Sequence, residues 1–362
     1  MKDRITMAQV ASRAGVHPST VSLALSNHPS IPPATRDRIR ALVEEMGYRP
    51  DPALRALTSY RHAKRTPHDV PPLAYLTNWD SEWGWKQPRA HMQFHVSATA
   101  KAHELGYKLE HFWLGEAGMS HQRMSDILVA RGITGLIVAS HLPERDRRLG
   151  LDWSKFSVVK IDYFPPEPEL HRVTNDHRAI IQLATTQALA AGYRRIGLVM
   201  PEWWDEFGDL AWSAGFLAVQ RRVTEEERIP ILYFREGSVG TGEMLVPAKA
   251  FADWIEQYRP EVVLSAAQFV EPRLKELGLV VPRDLAFVDI FLDPNGRTAG
   301  VRHNCDRVGA LAIETLVGQL HQNTVGLPEF PTATLVEGTW FAGETLPPRT
   351  NRVAGESRKK PG

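Results

Sequence analysis

The chain has one cysteine, Cys305, among its 362 residues. A single cysteine excludes an internal disulfide and any zinc site that needs paired thiolates. No apolar run approaches the roughly 20 residues that a membrane span requires. The N-terminal stretch MKDRITMAQV also lacks the apolar core of a secretory signal. We therefore expect a soluble, cytoplasmic protein that has no membrane partner.

Motifs for catalysis are also missing: the sequence contains no G-x-S-x-G, no H-E-x-x-H and no Cys–His nucleophile arrangement. The glycine-rich segment 237–242 lacks the Gly-Lys-Ser/Thr of a phosphate-binding loop. His91 and His95 have the i, i+4 spacing of metal ligands on a helix, but no third ligand is evident, so we expect them to line a cleft or face solvent instead. We expect no enzyme activity, no cofactor and no metal.

What the sequence does contain is an uneven distribution of charge. Residues 1–65 carry eleven Lys or Arg against five Asp or Glu, a balance of +6, whereas the rest of the chain has a balance of −5. The overall composition, with 43% apolar and 23% charged residues, is that of an ordinary globular protein. A small basic head on a mildly acidic body indicates that the head binds a polyanion.

The head contains signals for three short helices. Thr6 and Gln9 have the spacing of a capping box, which starts a first helix. Gly15 permits a tight connection, and Pro18 lies in the first turn of a second helix, where no backbone N–H is needed. A third helix is predicted over 33–46. Two short helices around a glycine-containing turn, backed by a third, make a helix-turn-helix, whose second helix enters the DNA major groove.

The same stretch resembles the head of the lactose-repressor (LacI/GalR) family over about 50 continuous residues. The matching marks are A-G-V at 14–16, T-V-S at 20–22, T-R at 35–36 and G-Y-R-P at 47–50. The resemblance implies a helix-turn-helix domain over 1–50, a hinge helix over 51–58, a linker over 59–70 and an effector-binding and dimerisation domain over 71–345. The basic, Pro- and Gly-rich segment 346–362 is predicted to be a disordered tail.

The resemblance also implies which head residues contact DNA. Pro18, Ser19 and Leu23 occupy the base-reading positions, and Leu23 offers only apolar contact where many relatives carry Arg. His17 either contacts a phosphate or caps the second helix, and both readings stay open. Tyr48 resembles the family tyrosine at the DNA backbone. The residues expected to position phosphates are Thr20, Ser22, Asn27, Thr35 and Arg36.

The hinge begins with Asp51 as a helix cap and Pro52 in the first turn. In the family this segment folds on DNA and inserts a leucine into the minor groove, and Leu57 matches that position. Leu54 is the other hinge residue that the resemblance places at DNA. The alternative reading of Leu57 is an anchor that packs against the body.

The body alternates strands and helices. The alternation begins with a strand over 73–76 and a helix over 89–105, and a second series begins with a helix over 176–191. Alternation with short connections predicts parallel sheets covered on both faces. The expected fold is an all-α helix-turn-helix head and an α/β body of two doubly wound subdomains, similar to periplasmic binding proteins. We expect lobe 1 at about 71–162 plus 301–330, and lobe 2 at about 163–300 plus 331–345.

The expected effector residues depart from the pattern of sugar-binding relatives. Asp162 matches the family carboxylate and is expected to end the last strand of the first lobe. Trp212 stands where those relatives carry Arg, and the usual G-[FY]-D-D turn reads as 289–293, which contains Asp289 and Asp293. The familiar A-N-D after a strand reads Ala266-Ala267, preceded by Ser265. Three of the four usual polar contacts are therefore absent or shifted.

Aromatic residues compensate in part. Trp79 and Trp83 follow the first strand of the first lobe, and Trp203 follows the first strand of the second. Tryptophan beside carboxylates suits a carbohydrate, because the ring stacks on the sugar while carboxylates accept from its hydroxyls. The alternative is that these rings, Trp212 included, pack between the lobes or act as lids.

These features predict a homodimeric transcriptional repressor that binds a near-palindromic double-stranded operator under the control of a small-molecule effector, a sugar. One alternative is a regulator of the same fold that has no ligand, since usual polar contacts are missing. Another is a small-molecule binding protein whose body alone is functional. The basic head and the missing signal peptide disfavour the latter.

Overall fold

A computed structural model describes residues 6–25, 30–46, 70–142, 145, 147–235, 244–293 and 296–349. Of the sequence predictions, those for Asn27, Tyr48, the hinge 51–58 with Leu54 and Leu57, and the linker up to residue 69 lie outside these residues, as does the glycine-rich segment 237–242. Within the described ranges, no helix is both long and apolar enough to cross a bilayer.

The head consists of three helices, α1 (Met7–Ala14), α2 (Pro18–Leu25) and α3 (Pro33–Met46). Their contact is a small apolar core to which all three contribute, with Val10, Val21 and Ile39 fully buried. The predicted three-helix arrangement is confirmed, and its second and third helices begin at the expected prolines.

The described residues fall into two compact units. The first lies within Met1–Thr174, the helical head included, and Cys305–Thr334, and the second lies within Asn175–Asn304 and Leu335–Gly362. Each unit is built on a sheet of six strands. The expected fold class is confirmed: a helical head followed by an α/β body of two doubly wound units.

The first sheet has the order β11-β5-β4-β3-β1-β2, and the pairs of β1 to β5 are parallel. Its strands are β1 (Pro72–Asn78), β2 (Lys108–Trp113), β3 (Gly135–His141), β4 (Ser157–Ile161), β5 (Arg172–Asn175) and β11 (Ala333–Val336). Its helices are α4 (Arg89–Glu104), α5 (His121–Ala130) and α11 (Cys305–Gln322).

Because successive strand residues point to opposite faces, each sheet buries two apolar layers. In the first unit, Ala74 and Leu76 pack with Met124 and Leu128 of α5. Helices α4 and α11 contact each other and the sheet. A Cβ on Gly309 of α11 would collide with the backbone of α4, so the close approach of these two helices requires glycine.

The second sheet has the order β12-β10-β9-β8-β6-β7, in which only the β10–β12 pair is antiparallel among the recorded pairings. Its strands are β6 (Ile196–Pro201), β7 (Leu232–Phe234), β8 (Val262–Ser265), β9 (Ala286–Asp289), β10 (Gly300–Arg302) and β12 (Thr339–Phe341). Its helices are α6 (His177–Ala190), α7 (Glu202–Phe207), α8 (Ala211–Gln220), α9 (Ala248–Tyr258) and α10 (Ala267–Glu276).

Two apolar layers also flank the second sheet. Leu198 and Met200 pack in a cluster that contains residues of α6 and α8, whereas the intervening Val199 packs in a cluster with residues of α9 and α10. This alternation is that of a strand buried on both faces. Because the middles of the strands are covered on both faces, a ligand can reach the sheet only at the carboxyl ends of its strands.

The first unit extends further along the chain than we expected. The boundary falls after Thr174 rather than after Asp162. The reason is β5, which pairs with β4 in the first sheet. Asp162 therefore follows β4, but β4 is not the last strand of this sheet, and that expectation was wrong.

The tail prediction is wrong for its first residues, 346–349. Leu346 is buried in the apolar cluster of the second unit. The Tyr193 hydroxyl donates to the Pro347 carbonyl oxygen at 2.9 Å, and the Arg349 guanidinium lies 4.7 Å from the Tyr193 ring. Arg349 also pairs with the Glu261 carboxylate. These contacts order a segment whose Pro- and Arg-rich composition alone is typical of disorder.

Candidate DNA-binding and effector sites

The first turn of the head is held by local hydrogen bonds. The Thr6 hydroxyl accepts from the Gln9 backbone N–H at 3.3 Å, and the Gln9 side chain accepts from the Thr6 backbone N–H at 2.7 Å. Gly15 ends α1 in the left-handed region, with φ of 66°. The capping box and the glycine turn are thus confirmed, and together they set the direction in which α2 leaves α1.

The start of α2 is capped by a histidine. The His17 Nδ1 atom lies 3.3 Å from the Ser19 backbone nitrogen and 2.8 Å from the Ser19 hydroxyl oxygen. The His17 carbonyl oxygen accepts from the Thr20 N–H at 2.8 Å. These are the contacts of a helix cap, one of the two roles that the sequence left open for His17. His17 and Ser19 are exposed, and Pro18 occupies the first helical position.

The other predicted DNA contacts differ in how much of the side chain is accessible. Thr20, Leu23 and Thr35 are half-buried, and Leu23 also packs against the head core. The Arg36 guanidinium donates to the Ile31 carbonyl oxygen at 3.1 Å, so it holds the turn before α3. Ser22 lies on α2, and its side chain is outside the described atoms.

In the first unit, polar residues follow three neighbouring strands at their carboxyl ends. Trp79 follows β1, Ser140 lies at the end of β3, and Asp162 follows β4. Ser140 has φ of 55° and Asp162 has φ of 71°, a region that non-glycine residues rarely adopt. Such strained backbone persists where the surrounding structure imposes it and clusters at ligand sites. The Thr174 hydroxyl donates to Asp162 Oδ1 at 3.2 Å.

Helix α4 adds a histidine to this group. His91 Nδ1 lies 2.8 Å from the Ser140 hydroxyl oxygen, and the His91 ring meets the Trp79 ring edge-on at 5.4 Å. Burial lowers the pKa of His91, while the Asp162 carboxylate opposes that shift. We call Trp79, His91, Ser140 and Asp162 the Asp162 site. It combines a carboxylate, a neutral imidazole, a hydroxyl and an indole.

His91 and Ser140 were not among the predicted site residues. His91 was expected, with His95, to line a cleft or face solvent, and Ser140 was not singled out. A signal was available for Ser140, because it closes a strand that reads as continuously apolar, and ligands bind beyond the carboxyl ends of such strands. The His91–Ser140 contact itself joins residues far apart in the sequence.

Trp83 lies in a different ring cluster of the first unit. Its side chain is 47% exposed, the Lys86 ammonium lies 4.0 Å from its ring, and the His111 ring lies 4.7 Å away. His111 Nε2 lies 2.8 Å from the Thr77 hydroxyl. Burial, with the positive charges of His95 and Lys86, lowers the pKa of His111 to about 4. Trp79, in contrast, is buried.

Trp212 is a core residue of the second unit. Its side chain is 1% exposed, and its ring stacks on the His177 ring at 4.6 Å. The Trp204 and Phe291 rings lie 6.2 and 5.9 Å away. We call Trp212, His177, Trp204, Phe291 and His303 the Trp212 cluster. Trp212 therefore packs inside the second unit, whereas the alternative weighed for it was packing between the lobes or acting as a lid.

Trp203 lies on a helix rather than in the loop expected after β6. It is half-buried on α7, and its ring meets the Trp204 ring edge-on at 6.0 Å. The same helix buries Asp205, whose carboxylate accepts from the Ser213 N–H at 3.0 Å and from the Tyr233 hydroxyl at 2.6 Å. The carboxylate thereby accepts a hydrogen bond from the first turn of α8.

The two aspartates predicted in the turn over 289–293 occupy opposite environments. Asp289 is buried at the end of β9, and its Oδ1 accepts from the Phe291 N–H at 2.8 Å. Burial raises the pKa of Asp289 to about 6, although hydrogen bonds from the backbone of Phe291 and Ala267 lower it in part. Asp293 is exposed.

The helix pair His91 and His95 has no metal-binding arrangement around it. The His95 ring contacts the Tyr75 and Trp85 rings at 4.9 and 4.8 Å, whereas His91 contacts Ser140. Throughout the described ranges, no three His, Cys, Asp or Glu side chains are grouped so that they could hold a metal ion.

Comparison with known proteins connects the head to a family. Residues 6–51 match the family model described as bacterial regulatory proteins, lacI family. Over 351 aligned residues, the chain is 25% identical to the HTH-type transcriptional regulator reg1 of Streptomyces lividans, a match that covers 89% of this chain and 94% of the relative.

Solved structures share the fold of the part of the chain that the structure describes. A transcriptional regulator CelR–cellobiose complex superposes with a TM-score of 0.55 at 18% identity, over 94% of this chain and 100% of that chain. The lac repressor dimer bound to operator and an anti-inducer superposes with a TM-score of 0.55 at 16% identity, over 95% and 100% of the two chains.

A helix-turn-helix head followed by two doubly wound α/β units defines a DNA-binding transcriptional regulator rather than an enzyme. Residues 6–51 are a DNA-binding domain of the lacI family of bacterial regulatory proteins, and most of the chain is similar to curated transcriptional regulators.

Proposed function

We propose that this regulator is a repressor that binds a near-palindromic operator as a homodimer in the cytoplasm, and that a carbohydrate sets its affinity for DNA. The observation that carries the proposal is the exposed, capped start of α2 in a basic head, on a chain whose α/β body holds a separate group of polar side chains. The lac repressor dimer bound to operator supports the dimer and the operator.

The DNA-binding part rests on the accessible surface of the head. Ser19 is exposed and Thr20 is half-exposed in the first turn of α2. In a helix-turn-helix, the N-terminal end of the second helix contacts base edges. The head also carries most of the excess positive charge, which attracts phosphates without regard to sequence. The family resemblance adds four residues to this proposal. Leu54 and Leu57 of the hinge are proposed to contact DNA, and Asn27 and Tyr48 are proposed to contact the DNA backbone.

The effector part rests on the Asp162 site. An Asp carboxylate accepts hydrogen bonds from sugar hydroxyls, His91 and the Ser140 hydroxyl add further polar groups, and the Trp79 ring packs against His91. The CelR complex with cellobiose supports a carbohydrate as the ligand class. In the second unit, Trp203, Asp289 and Asp293 remain proposed contacts of the effector. Trp212 contributes by packing within the Trp212 cluster.

Two measurements test the proposal separately. Selection of DNA from a randomised library by the full-length chain should enrich one two-fold symmetric site, since each protomer of a dimer reads half of it. A thermal-shift screen against mono- and oligosaccharides should identify a ligand, because binding stabilises the native state by mass action. If DNA selection yields a symmetric site but no sugar stabilises the protein, the proposed binding of an operator stands and the proposed carbohydrate effector is contradicted.

A second candidate, a regulator without a ligand, is favoured by one observation. Trp212, where sugar-binding relatives carry Arg, is buried and stacked on His177 instead of presenting a charged group. Occupancy of DNA that no metabolite alters would support this candidate over the first.

A further inference from the structure

The cap of α2 constrains the chemistry of the serine beside it. His17 Nδ1 faces both polar atoms of Ser19: the backbone nitrogen at 3.3 Å and the hydroxyl oxygen at 2.8 Å. The backbone N–H of Ser19 is a donor under all conditions, so Nδ1 has to be the acceptor in that contact. The imidazole is then neutral and carries its hydrogen on Nε2.

An accepting Nδ1 also fixes the direction of the second contact. A nitrogen without a hydrogen cannot donate to the Ser19 hydroxyl, so the hydroxyl donates its only hydrogen to His17. A ring with a hydrogen on Nδ1 would place two N–H groups against each other, which the 3.3 Å contact disfavours. The Ser19 oxygen is left with lone pairs alone for any further partner.

Ser19 is placed to use those lone pairs on DNA. It is exposed and lies at the second position of α2, the end that leads into the major groove in a helix-turn-helix. Its neighbour Pro18 has no polar side-chain atom and no backbone N–H. Ser19 is therefore the polar group nearest the tip of this helix among its described side chains.

We propose that His17 makes Ser19 an obligate hydrogen-bond acceptor, so that Ser19 selects a base whose major-groove edge presents a donor. The donors are the N4 amino group of cytosine and the N6 amino group of adenine, whereas the matching atoms of guanine and thymine accept. Serine without this constraint reads either kind of base. The inference rests on the proposed binding of operator DNA by the head.

The experiment compares half-sites selected by the full-length parent with those selected by three single variants and by the double variant His17→Gly, Ser19→Ala. Ser19→Ala identifies the base pair that Ser19 reads, as the position where preference is lost. His17→Gly removes the acceptor but leaves a residue tolerated at helix caps. Thr6→Gly removes the cap of α1 and is the matched control for a general loss of head stability.

At the position found with Ser19→Ala, the parent should prefer cytosine or adenine over guanine or thymine on one strand by about fivefold, the value of one hydrogen bond. His17→Gly should reduce this ratio toward one, and it should have no effect on the ratio in the Ser19→Ala background. Thr6→Gly should keep the parent's ratio. A parent preference for guanine or thymine, no position that responds to Ser19→Ala, or an unchanged ratio in His17→Gly would each overturn the inference. If the parent enriches no sequence at all, the proposed binding of operator DNA is contradicted, and the inference about Ser19 falls with it.

Discussion

Both α/β units contain clustered tryptophan and histidine rings, but the two clusters differ in what accompanies the rings. In the first unit, His91 contacts both the Trp79 ring and the Ser140 hydroxyl, Asp162 acts on His91, and Ser140 and Asp162 have left-handed backbone. In the second unit, Trp212 stacks on His177 within an apolar core. Both tryptophans are buried, so the polar residues of the first unit, rather than the rings, distinguish the proposed effector site from a packing cluster.

The largest expected effect that tests this comparison is on stability. Trp212→Ala should lower the free energy of unfolding of the second unit by about 3–5 kcal/mol, the range for a fully buried large side chain. Trp83→Ala, which removes a half-exposed ring, should cost about 1 kcal/mol or less. Urea unfolding, with hydrogen exchange to assign the loss to a unit, measures both. Equal losses would contradict the assignment of Trp212 to the core.

The two units should also respond oppositely to pH. In the first unit, the pKa of His111 is lowered from 6.5 to about 4, so the unfolded chain binds a proton before the folded one does. Stability is therefore lost as the pH falls from about 6.5 to about 4. Because the ring is partly exposed, we expect about 1–2 kcal/mol. His111→Gln should flatten this part of the stability profile.

In the second unit, the pKa of Asp289 is raised from 3.8 to about 6, so the folded chain holds its proton longer than the unfolded one. The stability of this unit should fall as the pH rises from about 4 to about 6, by about 2 kcal/mol. Asp289→Asn should remove the fall, because the amide oxygen still accepts from the Phe291 N–H. Thermal unfolding from pH 4 to 7 measures both slopes, and slopes of the same sign would contradict these assignments.

The smallest effect concerns ligand affinity. Asp162→Asn should weaken binding of the sugar found in the screen by about 1–3 kcal/mol, the range for a hydrogen bond to a charged group. The matched control is Asp152→Asn, because Asp152 precedes β4 and so lies toward the opposite end of that strand. Calorimetry on both variants and the parent gives the affinities. Equal affinity in all three would remove Asp162 from the site.

Local signals predicted the head well and the two clusters only in part. The limits of α2 and α3 follow from Pro18 and Pro33, which act on their own turns. Helix α7 (Glu202–Phe207) was missed because it has six residues and no side-chain cap. Helix α11 was also not predicted, although Val308, Ala312 and Leu316 recur at helical spacing along it.

The sites depend on contacts between distant parts of the chain. The placement of Asp162 after a strand was predictable, because strands of this length and composition can be read from their apolar runs. The His91–Ser140 contact and the stacking of Trp212 on His177 join separate helices and strands, and no pattern in the sequence specifies them. Residue type indicated aromatic clusters, and only packing showed which cluster is polar.

The central claim is that a ligand bound by the body controls the binding of DNA by the head. Its most direct test is the affinity of the full-length chain for its selected operator, measured by fluorescence anisotropy with and without saturating sugar. We predict a change of about 5- to 150-fold, the usual range of coupling between sites. Asp162→Asn should match the parent without sugar and need more sugar for the same change. An operator affinity that stays the same at saturating sugar would contradict the claim.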